Sequence, residues 1–148
     1  MSFEVQESIV IDRPREEVWN YVIEHDEWRR PEIVEVHKLT EGPHGEGARY
    51  EDTAKMMGQE MKVVNEILRF EPPSLLSWTQ ISEEGPSTTL EGRYELESLN
   101  GKTRFTLYGN YEAKGLLKLL VPLIRRKIQN DMYPRVLGQL KEILEEEP

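Results

Sequence analysis

The residues with most chemical promise are carboxylates and amides set into alternating apolar stretches. In "ARYEDTAKM", Asp52 shares parity with Tyr50 and Ala54, the parity that an apolar alternation turns inward. A carboxyl buried in this way rises in pKa and becomes a candidate proton donor. Glu7 stands in a similar position, sharing parity with Phe3, Val5, Ile9 and Ile11. The competing reading for both is a strand end or a bulge that returns the group to water. Asn65, alternating with Met61 and Val63, offers an amide to the same inward face.

The three histidines are less promising. His44 lies in the glycine-rich "TEGPHGEG" and reads as solvent-exposed. His37 sits on a strand expected at a sheet edge. His25 is next to Asp26, but adjacent helical residues point in different directions and make no dyad. Their spacing forms no metal motif, and the chain has no cysteine, so neither a metal, a cofactor, a thiol nucleophile nor a disulfide framework is expected. No catalytic set emerges from these residues.

Aromatic and thioether side chains suit a binding wall better. Trp78, Tyr94 and Tyr111 fall on strands and combine rigid apolar surface with a polar tip. Tyr50 and Met61 join them, and Met132 projects from the C-terminal helix, its thioether suited to irregular surfaces. Plain core packing is the rival use of every one. Trp28, between two short helical stretches, either caps a cavity mouth or seals the core.

The elements that must position these groups follow from periodicity. "FEVQESIVI" alternates as a strand. "DRPREEVWNYV" then opens a helix, with Pro14 at its start, Glu16 and Glu17 at the positive dipole end and Val18, Tyr21 and Val22 inward. "IEHDEWRRPE" reads as a second short helix ending before Pro31. From residue 33 the period becomes two, and six strands follow with short turns, among them "TEGPHGEG", Met57-Gly58, Gly85-Pro86 and Asn100-Gly101, the fourth strand stretch reading "PPSLLSWTQIS". Leu90, Tyr94 and Leu96 share one inward parity, and Phe105, Leu107 and Tyr111 another.

The tail is helical: Ile124, Ile128, Met132, Val136, Leu140 and Leu144 recur every four residues, with Tyr133, Leu137 and Ile143 beside them in one broad apolar stripe, and Pro134 is placed to disturb the helix near Asn130. A one-faced antiparallel sheet must be covered, and this helix is the one large element left to cover it. A curved sheet around one helix is expected to leave a cavity at its wide end.

The 148 residues fit a single domain, 1–148, and the formal charge of −9 opposes a nucleic-acid partner. With neither a signal-peptide pattern nor an apolar run of membrane-spanning length, a cytoplasmic location is expected.

Four stretches, "IDRPREEVWNYV", "GPHGEGARY", "VVNEILRFEPPSLLSW" and the closing "GLLKLLVP…LGQLKEILE", resemble the START-like (SRPBCC) ligand-binding superfamily in its polyketide cyclase/dehydrase-like branch. The resemblance implies an α+β helix-grip fold, as in the major birch pollen allergen: a curved seven-stranded antiparallel sheet around a long C-terminal helix, with two short helices after the first strand. It also implies a hydrophobic cavity between sheet and helix. Members bind lipids, sterols, isoprenoid quinones or aromatic polyketides, and a minority catalyse cyclisation or dehydration.

The expectation is therefore a carrier or binder of a hydrophobic small molecule. A polyketide cyclase/dehydrase-like enzyme is the alternative, and a protein-interaction module is a third reading. "LLKLLVPLI" has more apolar faces than one buried stripe requires. A lid over the cavity, a homodimer contact and a transient membrane contact helped by Arg125, Arg126 and Lys127 remain open for it.

Overall fold

The computed structural model describes residues 2–56, 58–83 and 85–146. β1 (Ser2–Ile11) leads to α1 (Arg15–Glu24) and a 3-10 turn (Glu27–Arg29), the two short helical elements the sequence predicts. Then come β2 (Ile33–Lys38), β3 (Arg49–Met56), β4 (Gln59–Glu71), β5 (Leu75–Gln80), β6 (Ser87–Leu99) and β7 (Lys102–Ala113). The strands form one seven-stranded sheet in the order β1-β7-β6-β5-β4-β3-β2, antiparallel throughout. The β6–β7 turn places Asn100 (φ 52°) and Gly101 (φ 86°) in left-handed conformations. Only a two-residue turn of this kind matches the twist of the flanking strands, and asparagine followed by glycine tolerates it. Of the Met57-Gly58 turn, Met57 lies outside the described residues.

Alternation sorts the side chains as the sequence predicts, with one exception. Phe3, Val5 and Ile11 of β1, Tyr94 and Leu96 of β6, and Phe105 and Leu107 of β7 are buried. Leu90 is exposed. A bulge between Thr89 and Glu91 shifts the β6 register against β7, so parity counted back from Tyr94 fails beyond it. The outer face is polar: Arg93 lies over the Tyr108 ring, 4.1 Å from its centroid, between Glu91 and Glu95.

The covering helix is built in stages: a 3-10 stretch (Gly115–Leu120), α2 (Val121–Lys127), a π-helical turn (Ile128–Met132) and α3 (Tyr133–Glu146). Pro134 cannot donate to the Asn130 carbonyl, and its ring excludes that carbonyl from the normal ladder. The chain absorbs this with one wide turn, in which the Tyr133 amide reaches back to the Ile128 carbonyl. The extra residue rotates the apolar stripe. Tyr133, Val136, Leu137, Leu140 and Leu144 are buried, while Met132 is only partly so. Inside, the Tyr133 and Tyr111 hydroxyls pair at 2.5 Å, directly over Gly109. A Cβ there would lie 2.3 Å from the Tyr133 oxygen, so glycine is what lets the two phenols approach the strand.

Candidate functional site

A cleft of about 370 Å³ opens between the end of α1, the 3-10 turn and the concave face of β2–β6. Its apolar wall is Val22, Val36, Ile67, Leu76 and Trp78. Cross-strand pairing sets this wall, since Trp78 opposes Ile67 on one side and Gly92 on the other, and Leu76 opposes Tyr94. Gly92 is required by the indole: a Cβ there would meet the Trp78 ring at 2.2 Å. Trp78 and Tyr94 then pack edge to face, with ring centroids 4.9 Å apart.

Four polar groups converge in the cleft. Asp52 of β3 is 6% exposed, and its carboxylate accepts a 2.7 Å hydrogen bond from the Asn65 amide of β4. Arg29, at the end of the 3-10 turn, sets its guanidinium beside the Tyr94 hydroxyl and faces Asp52. That turn is held by its neighbour Trp28, which is fully buried, donates from Nε1 to the His25 carbonyl at 3.1 Å and packs on Tyr94 and Phe105. At the rim, His44 and Tyr50 are stacked and hydrogen-bonded through Nδ1 and the hydroxyl.

The electrostatics follow from burial and the opposed charges. Desolvation pushes the Asp52 carboxyl above the ordinary 3.8, and Asp26 adds to the rise, although Arg29 and the Asn65 amide pull the other way. Desolvation also weighs against the Arg29 charge, but Tyr94, Asp52 and Asp26 outweigh it, and its pKa rises. Burial likewise raises Tyr94 and Tyr50. A carbon-detected NMR titration is expected to place Asp52 above the ordinary 3.8. Because the fold favours its protonated form, Asp52's contribution to stability is complete below 3.8 and is lost as pH rises through its own higher value. An Asp52 resonance titrating at or below 3.8 would contradict this account of its burial.

The cleft thus brings together Tyr50, Asp52, Asn65, Trp78 and Tyr94. Three other sequence candidates lie elsewhere. Met61 packs beneath Gly85, Tyr111 pairs with Tyr133 and packs at a tilt against Phe3, and Met132 sits beside the core on the π-helical turn. Glu7 is half-buried on β1, away from the cleft. His44, expected in solvent, is half-buried on the cleft rim because its loop folds back over Tyr50. His25 also lines the cleft, and His37 is exposed on the edge strand β2. Arg29 was missed by sequence reasoning. Its one signal was adjacency to Trp28, since a buried tryptophan fixes the direction of the residue after it.

Residues 2–145 match the model of the family described as polyketide cyclase / dehydrase and lipid transport. The chain belongs to this family. Its START-like fold is shared with several solved structures. It matches a START superfamily protein from Mycobacterium smegmatis at TM-score 0.78 and 14% identity, over 97% of each chain. For a Thermus thermophilus protein the TM-score is 0.75 at 20% identity, over 99% of this chain and 100% of that one. An aromatase/cyclase, Zhui, from Streptomyces sp. R1128 aligns at 0.73 and 14%, over 97% and 96%. Among curated proteins no sequence matches the chain.

Proposed function

We propose that this protein binds a small amphipathic molecule, with an apolar ring or chain as its body and an oxygen group as its head. The observation that carries this reading is the composition of the cleft: an aromatic and aliphatic wall that ends on one half-buried cation, Arg29, with the buried Asn65 and Asp52 beside it. The volume of about 370 Å³ falls within the range of small-molecule sites, and a few convergent polar groups on an apolar wall are what orient a ligand in them. The body lies against Trp78, Leu76 and Ile67. The head takes hydrogen bonds from Arg29 and the Asn65 amide, and Tyr50 borders it. Lipids, isoprenoids and aromatic polyketide-like compounds share this chemistry, and the family's description covers both lipid transport and cyclase activity.

Native mass spectrometry of freshly purified protein is expected to show a discrete added mass that is released on denaturation as one such compound. Trp78→Ala should lose it. A bare mass, together with no tryptophan quenching by aromatic, isoprenoid and fatty compounds, would overturn the proposal.

One observation favours a second reading, that of a polyketide cyclase/dehydrase-like enzyme. Asp52 is a carboxyl of raised pKa in the cleft beside a cation. Such a group can give a proton to a leaving hydroxyl or take one from carbon, while Arg29 stabilises an enolate oxygen. Asp52→Asn separates the readings, because a binder keeps its ligand unchanged and an enzyme accumulates unconverted substrate.

A further inference from the structure

The stretch from Gly115 to Lys127 has two apolar faces, and the fold uses only one. Val121 is buried, and Leu117, Ile124 and Ile128 pack against the core. A surface helix needs one such stripe. On the other side Leu116 is 84% exposed, Leu119 79% and Leu123 61%, with Leu120 also exposed. None of these leucines lines the cleft, so a lid over that cavity has no support in the structure.

The exposed row continues at helical spacing from Leu116 through Leu119 and Leu123 into Arg126 and Lys127, both exposed. Residues 114–130 hold five cations (Lys114, Lys118, Arg125, Arg126 and Lys127) and no carboxylate, in a chain of net charge −9. Apolar side chains bordered by cations are the arrangement that enters the headgroup region of an anionic bilayer. A second copy of the chain fits less well. A two-fold interface centred on these leucines would set the cations of one copy against those of the other. Among the described residues, no helix is long and apolar enough to cross a membrane.

We infer that the Leu116–Lys127 face docks this protein peripherally on an anionic phospholipid surface. The inference is independent of what the cleft holds. Leucines 116, 119 and 123 enter the acyl boundary, and Lys118, Arg126 and Lys127 meet lipid phosphates. Arg125 is engaged by the fold itself, since its Nε donates to the Glu4 carbonyl at 3.0 Å.

Vesicle co-sedimentation of the full chain tests this. Vesicles of equal parts phosphatidylcholine and phosphatidylglycerol should retain the protein at low salt, phosphatidylcholine alone should not, and high salt should release it. Arg126→Ala with Lys127→Ala is expected to weaken partitioning about 30-fold. Leu119→Ser with Leu123→Ser should weaken it about 10-fold or more. All four side chains are exposed, so circular dichroism and thermal unfolding of both variants should match the parent. No retention on the mixed vesicles overturns the inference, as does retention that neither pair of substitutions changes. A concentration-dependent dimer abolished by the leucine pair, without vesicle binding, would assign the face to a second copy instead.

Discussion

Trp28→Ala is expected to cost about 3–5 kcal/mol of folding stability, the range for truncating a fully buried tryptophan. The side chain has 0% exposure and packs on Tyr94 and Phe105, with centroids 5.5 and 5.7 Å away. Removing it opens a cavity where the 3-10 turn meets the sheet and leaves the His25 carbonyl without its indole donor. The loss reaches the cleft as well, because Trp28 anchors the turn that aims Arg29. Trp28→Phe, which fills most of the volume and lacks only the N–H, should recover more than half of the stability. Urea unfolding of the three proteins decides the point, and a cost below about 1 kcal/mol for the alanine variant would show that the turn is held by other contacts.

Arg29→Met should produce a penalty that depends on pH. The methionine fills similar space but leaves the Asp52 carboxylate buried without its cation, a change that costs about 3 kcal/mol when the remaining charge cannot be neutralised. Asp52 can be neutralised, because its pKa already lies above 3.8 and loses the lowering influence of Arg29 in the variant. A folded-state pKa above the unfolded one favours the acid form, so the full stability is present below 3.8 and lost as pH rises. The destabilisation is therefore small at about pH 4 and largest at about pH 8. Adding Asp52→Asn should remove most of the pH dependence. A penalty that stays flat with pH, or survives in the double variant, would mean that Arg29 acts through packing and Tyr94 alone.

The parts of this molecule that were legible in sequence are those written in local alternation. "FEVQESIVI" and "KTRFTLYGNYEA" announce their inward faces, and Asn100-Gly101 specifies its turn through a backbone conformation few residue pairs accept. Pro134 announced a disturbance at Asn130, though not that the chain would answer with a π-helical turn that seats Tyr133 more deeply than Met132 in the stripe they share. Leu90 misled because a bulge breaks a parity count and leaves no mark of its own in the residues around it. Asp52 and Asn65 were found because each lies on an alternating strand. Arg29 and His44 were not, because a 3-10 turn and a glycine-rich loop have no period, and their side chains reach the cleft only through tertiary packing.

The strand order also has a consequence for how the chain folds. β2 to β7 form five hairpins in succession, each closed by a connection short beside the chain's length. β1 is different: Ser2 must find Glu112, and Ile11 must find Thr103. Closing so long a loop costs entropy before any contact rewards it, whereas each hairpin extends an edge already formed. The meander is the natural early nucleus and β1 a late arrival. α1 packs on β6 and β7, so it needs the meander in place before it can dock, and the mouth of the cleft is expected to take shape after its floor.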